Sequence, residues 1–114
     1  MDVAEATIRL TEPQASFLQL EIVERFIDDD EEAYREVAWV LLGSLERSKG
    51  RQADVWNKRA LREMVLYVIN FIDDEIELAK RGDRHALGRI GGVDTIAEAR
   101  AIHRSGQAIL NKLK

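Results

Sequence analysis

The sequence predicts an all-α protein, a four-helix (up to five-helix) bundle with one long central helix. Apolar residues recur at spacings of three and four along four segments, which is the period of amphipathic helices. The chain has one proline among its 114 residues, and no segment alternates like a strand. Its length fits one domain. We expect residues 1–10 to form an N-terminal arm or a short extended piece, and residues 11–114 to form a single helical-bundle domain.

Composition narrows the possible classes of protein. The chain has no cysteine, which excludes disulfides and thiolate metal sites. Its N-terminus lacks the basic and apolar regions of a signal peptide. No uncharged run is longer than Met64 to Ile72, which is too short to span a bilayer. We therefore expect a cytoplasmic protein with no membrane partner. Residues 1–32 carry ten acids and two bases, whereas residues 33–114 carry eleven acids and fifteen bases. This asymmetry favours pairing within the chain or between subunits.

The first helix is predicted by a capping box, in which Thr11 is the N-cap and Gln14 lies three residues on. We expect the helix to end near Ile27. Its polar face holds an i,i+4 pair of Glu21 and Arg25, which we expect to point away from the core. Its apolar face contains Ala15, Leu18, Ile22, Val23 and Phe26.

The stretch "FIDDDEE" at Phe26 to Glu32 is nearly repeated as "FIDDEIE" at Phe71 to Glu77. We interpret the first copy as helix punctuation, with Asp29 capping a second helix that runs to about Ser48. The second copy lies inside a third, long helix from about Ala53 to Arg81. The second helix buries Ala33, Tyr34, Val37, Ala38, Leu41, Leu42 and Leu45, and the third buries Leu61, Val65, Val68, Ile72, Ile76 and Ala79.

A final helix is predicted from a second capping box, Thr95 with Glu98. Gly106 lies on its apolar stripe, which indicates close contact with another helix, and His103 lies at the edge of that stripe. The stripe consists of Ile96, Ala99, Ile102, Gly106, Ile109, Leu110 and Leu113.

Helical carboxylates raise the question of a metal enzyme. Acids on two of the predicted helices resemble the glutamate-rich helix pairs of all-α, magnesium-dependent nucleotide pyrophosphohydrolases, although that family's second acidic pair is not matched in spacing. The resemblance implies metal ligands among Glu31, Glu32, Glu36, Asp74 and Glu77. Neither histidine, His85 or His103, follows a glutamate by three, as helical di-metal sites require. We therefore interpret the acids as solvated faces, and expect no metal, no cofactor and no enzymatic activity.

A basic stretch, residues 47–62, is the main evidence for an alternative, nucleic-acid binding. Six bases and a tryptophan surround one acid, Asp54, and such a stretch can bind phosphates and stack on bases. These residues are Arg47, Lys49, Arg51, Trp56, Lys58, Arg59 and Arg62. A basic loop that is solvated, or that faces the acidic N-terminal segment, explains the same pattern, and the net charge of −4 favours that interpretation.

Four apolar residues fall on helix faces that charged residues mark as outward. Trp39 and Val40 lie among acids and bases of the second helix, and Leu66 and Tyr67 interrupt the polar stripe of the third. Large apolar groups on polar faces are typical of interfaces. The leading hypothesis is therefore a non-enzymatic protein–protein interaction module, such as a small adaptor, regulator or assembly subunit, which forms a homodimer or binds another protein.

Overall fold

The computed structural model describes residues 6–91 and 93–114, so residues 1–5 of the predicted arm lie outside it. The described chain is predominantly helical, with one small antiparallel sheet. Helix α1 covers residues 12–26 and includes a π-helical segment, Leu18–Val23. The other helices are α2 (Glu32–Ser48), α3 (Lys58–Lys80) and α4 (Ile96–Lys112). The strands are β1 (Ala6–Arg9) and β2 (Gln52–Val55). A short 3₁₀ helix, Leu87–Ile90, lies between α3 and α4. Within the described ranges, no helix has the length and apolar character needed to cross a membrane.

The predicted start of α1 is confirmed. The Thr11 hydroxyl accepts from the Gln14 backbone N–H at 3.4 Å, and the Gln14 side chain accepts from the Thr11 backbone N–H at 3.1 Å. Two otherwise unpaired backbone donors are thereby satisfied. The helix then changes from α to π hydrogen bonding at Leu18 and returns to α at Glu24.

The predicted cap of α2 is wrong by two residues. Asp29 accepts instead from the backbone N–H of Glu31, at 2.8 Å, and the helix begins at Glu32 without a side-chain cap. A short acidic side chain can bond to the backbone two residues on and form a turn, which here delays the helix. The predicted end at Ser48 is confirmed, and Lys49 follows it in the left-handed region with φ of 57°.

The prediction that the third helix begins near Ala53 is also wrong, since residues 52–55 form β2. Ala6 of β1 lies opposite Val55 and Arg9 lies opposite Gln52, so the strands are antiparallel. Ala53 and Val55 are buried in the core, and this alternation covers only four residues. The all-α prediction must therefore be corrected to a helical protein with a two-stranded sheet, and the extended piece expected in the first ten residues is confirmed for residues 6–9.

Helix α3 begins at Lys58 because Asn57 caps it, its side chain accepting from the Ala60 backbone N–H at 3.0 Å. At 23 residues it is the longest helix described. Its apolar stripe packs against α4, α2 and the π segment. Thr95 caps α4 as predicted, its hydroxyl accepting from the Glu98 N–H at 3.1 Å. The Glu98 carboxylate accepts from that hydroxyl instead of completing a capping box.

Gly106 permits the close approach of α4 to its neighbours. A Cβ at this position would lie 2.8 Å from the ring of Phe17 in α1 and 3.1 Å from Cγ1 of Ile69 in α3. The first distance is shorter than van der Waals contact. The close contact predicted for Gly106 is therefore confirmed.

We expect Gly106→Ala to lower the free energy of unfolding by about 1–3 kcal/mol, because the added methyl forces the Phe17 ring to move. Gly43 of α2 is the matched control. A Cβ there would meet only the end of the Arg47 side chain, at 3.1 Å. Since that side chain can move, Gly43→Ala should raise stability by up to about 1 kcal/mol through helix propensity. Urea unfolding followed by circular dichroism measures both, and equal effects of the two substitutions would contradict the close-packing explanation.

Candidate functional site

The structure places the predicted interface residues on or near the surface. Trp39 is 57% exposed, Leu66 is 43% exposed and Tyr67 is 61% exposed. Val40 is half-buried. The three larger side chains therefore leave much apolar area in water.

These four residues belong to two patches. Trp39 and Val40 lie on α2, whereas Leu66 and Tyr67 lie on α3. Neither the cleft that Tyr67 lines nor the depression that Leu66 lines includes Trp39 or Val40. Each patch is therefore tested separately.

Tyr67 forms one wall of a cleft of about 370 Å³ where α1, α2 and α3 meet. Its ring centroid lies 6.2 Å from that of Phe26, edge to face, and the Tyr34 ring lies 5.6 Å from Phe26 in the same manner. We call this site the aromatic cleft. It is lined by Arg25, Phe26, Asp29, Tyr34, Glu63, Met64 and Tyr67.

Polar groups complete the aromatic cleft. The Tyr34 hydroxyl donates to Oε2 of Glu63 at 3.0 Å, and this bond to a carboxylate is the main reason that the pKa of Tyr34 is raised. Arg59 reaches the other oxygen of Glu63 at 3.5 Å from the solvent side. The cleft therefore contains a carboxylate that is held by Tyr34 on one oxygen and by Arg59 on the other.

Glu21 is buried, contrary to the prediction that it points away from the core. It is 5% exposed and lies in the π segment of α1. A π turn places more residues in each turn than an α turn, so the 3.6-residue period no longer gives the direction of a side chain within it. Burial is the main reason that the pKa of Glu21 is raised.

Arg25 does pair with Glu21 as predicted, at 3.2 Å, but the pair is largely shielded from water. The guanidinium also lies over the ring of Phe71, 4.9 Å from the centroid. Its Nε is buried without a hydrogen-bond partner among the described residues. Although Arg25 lines the aromatic cleft, its charge is therefore engaged by Glu21 and Phe71.

The basic stretch 47–62 is divided among several elements. Arg47 forms an ion pair with Asp54 at 3.1 Å, and Trp56 is half-buried against the core. Lys49 and Arg51 are exposed in the turn before β2. Lys58, Arg59 and Arg62 share a shallow depression beside Leu66 on α3. The structure therefore brings three of the six bases together around a depression that Glu63 also lines and Trp56 does not.

The acids that resemble metal ligands are not brought together. Tyr34 of α2 bonds to Glu63, and Asp74 lies eleven residues further along α3, about 16 Å at 1.5 Å per residue. Asp74 and Glu77 therefore lie far along α3 from the contact that α2 makes through Tyr34. Across residues 6–91 and 93–114, no three His, Asp or Glu side chains are arranged to hold a metal.

His103 is half-buried, as expected at the edge of its stripe, and pairs with Asp73 at 3.1 Å.

A second buried carboxylate, Glu75, was not predicted from the sequence. Glu75 of α3 accepts from Nε of Arg89 at 2.7 Å, and Arg89 also bonds to Asp83 at 2.8 Å. The bond from Arg89 is the main reason that the pKa of Asp83 is lowered. No periodic or capping signal marks this cluster, which fastens the loop after α3.

A comparison with protein-family models, curated proteins and solved structures found no match for this chain.

The buried Glu21 predicts a pH dependence of stability. Because its pKa is raised in the folded chain, folding takes up a proton between the ordinary value and the raised one. That contribution to stability is present below this window and is lost as the pH rises through it. We expect the free energy of unfolding of the wild type, relative to Glu21→Gln, to increase as the pH falls from about 7 to about 4.

Urea unfolding of both proteins at several pH values measures this difference. Glu24→Gln is the matched control, since it removes an exposed acid from the same helix. If the wild type and Glu21→Gln keep a constant difference at every pH, the proposed effect of burial is wrong.

Proposed function

We propose that this protein is a non-enzymatic interaction module, a small helical-bundle adaptor, regulator or assembly subunit that binds another protein chain. A second copy of itself is the first expected partner, since two-fold self-association is the commonest assembly of soluble proteins. The observation that carries the proposal is the exposure of Trp39 and Tyr67, 57% and 61%, on helix faces otherwise occupied by charged residues. A cytoplasmic location remains part of the same proposal.

The energetic gain from covering these residues is substantial. An aromatic side chain buries 150–250 Å² when fully covered, so each exposed portion offers roughly 100 Å². At about 25 cal/mol per Å², covering one of them favours association by about 2–3 kcal/mol before the entropy of docking is subtracted. Trp and Tyr are also the residues most often found at energetic centres of interfaces.

The contacts of the basic stretch favour a protein partner over nucleic acid. Arg47 is neutralised by Asp54, and the Trp56 ring packs against the core instead of being fully available for stacking. The exposed acids of residues 28–32 also repel a polyanion.

The interface proposal is tested by sedimentation of the wild type, of Trp39→Glu, of Tyr67→Glu and of the double variant. We expect the wild type to dimerise and the double variant to sediment as a folded monomer, because each glutamate places a charge in the covered area. The single variants show which patch forms the contact. Gln107→Glu is the control, since it adds a charge to an exposed position of α4, where no interface residue is proposed.

Circular dichroism and urea unfolding establish that each variant is folded. A monomeric wild type that unfolds when Trp39 or Tyr67 is changed would show that these residues stabilise the fold and are no interface.

We expect no measurable binding of single-stranded or duplex DNA or RNA near physiological salt. Fluorescence anisotropy with labelled oligonucleotides measures it. The triple change of Arg51, Lys58 and Arg62 to Glu is the control for the basic stretch. Micromolar binding that weakens steeply with salt and disappears in this variant would favour nucleic-acid binding over the interaction module.

A further inference from the structure

The aromatic cleft is open to solvent and is bordered by three aromatic rings. Phe26 is 6% exposed and forms its inner wall. The rings of Tyr34 and Tyr67 meet the Phe26 ring edge to face, at 80° and 76°. Three aromatic rings therefore border the same space. Each aromatic ring has a negative face, and several rings around one space attract a cation.

Carboxylates add a negative electrostatic field to the aromatic cleft. Asp29 and Glu63 line the cleft, and Asp29 belongs to the five consecutive acids of residues 28–32. Arg59 pairs with Glu63 at 3.5 Å and offsets part of its charge, so the acidic run is the larger source of the negative field. Arg25 also lines it, but its guanidinium pairs with Glu21 and covers Phe71. No ion pair among the described residues joins residues 28–32 to a base. The field of this acidic run is therefore directed at solvent or at a partner.

We propose that the aromatic cleft binds the ammonium or guanidinium group of a lysine or arginine side chain presented by a partner protein. This inference rests on the proposed function, because Tyr67 is one of the predicted interface residues, and it states what the partner places against Tyr67. Aromatic faces and nearby carboxylates both favour such a cation, and both disfavour an anionic ligand.

The openness of the cleft favours a side chain on a protein surface over a free metabolite. Small-molecule sites bury most of the surface of their ligand. Tyr67 is too exposed for the cleft to do this alone. The rest of the cover must come from the surface that carries the cation, and exposed Leu66 lies next to Tyr67 to receive it. The chain itself offers such cations, since a second copy would present Lys58 and Arg62, whereas Arg59 pairs with Glu63 of its own chain.

The test is a titration of ¹⁵N-labelled protein, followed by amide chemical shifts, with five-residue Gly/Ser peptides that hold one central basic residue. The central residue is lysine, trimethyllysine, arginine or, as the uncharged control, acetyllysine. We expect saturable shifts centred on Phe26, Tyr34, Glu63 and Tyr67, with acetyllysine binding at least about tenfold more weakly than lysine, since it lacks the charge. Equal binding of the acetylated peptide, or shifts centred elsewhere, would overturn the proposal.

Three variants test the walls of the cleft. Tyr67→Ala should weaken binding of the arginine peptide by about three- to thirtyfold, and Tyr67→Phe should retain it, because the ring provides the attraction. Glu63→Gln should weaken binding and reduce its dependence on salt. Asn70→Ala, an exposed change one turn away on α3, should leave it unchanged. Tetramethylammonium chloride tests whether a free cation binds without a peptide. If it binds as tightly as the peptides, the proposed role of a partner side chain is wrong.

The results separate this inference from the proposed function. If the wild type dimerises through Trp39 or Tyr67 but no basic peptide binds, the interaction module stands and the cation site fails. If the peptides bind but neither glutamate variant changes any self-association, the cation site stands and the homodimer fails. Dissociation of the dimer by the arginine peptide supports the cation site and identifies the second copy as the partner.

Discussion

The position of the Phe26 ring is the constraint on which the arrangement of the site depends. This ring lies at the end of α1 and contacts Tyr34 of α2 and Tyr67 of α3, so one side chain joins three helices. A π segment, Leu18–Val23, ends three residues before Phe26, and its wider turn shifts the directions of the side chains that follow it. The same segment buries Glu21 and directs Arg25 toward Phe71. The backbone of α1 thus sets both the shape of the aromatic cleft and its charge.

Local signals in the sequence predicted local structure well. Thr11 with Gln14 and Thr95 with the Glu98 backbone depend on residues three apart, so the start of each helix could be read directly. The apolar stripes of all four helices were also predicted, because burial follows the helical period over several turns. The close approach at Gly106 followed from a glycine on such a stripe.

The wrong or missing predictions concern residues whose structure depends on contacts distant in sequence or on a local change of the helical period. Residues 52–55 form a strand because β1 supplies their hydrogen bonds, and four residues are too few for alternation to be recognised. Burial of Glu21 requires a π turn that propensities do not reveal. Glu75 meets Arg89 through the path of the loop. The aromatic cleft likewise combines residues of three helices, and of these only Tyr67 was expected at an interface.

The small sheet also has a consequence for how the chain folds. Its register joins Ala6 to Val55 and Arg9 to Gln52, so β1 cannot gain its hydrogen bonds until the chain has extended beyond α2. Contacts between residues so far apart cost loop-closure entropy, and they form slowly compared with helical turns. During synthesis, α1 and α2 can therefore emerge and begin to pack before β1 can pair with β2. Once residue 55 has emerged, β1 can pair with β2, before α3 and α4 are synthesised.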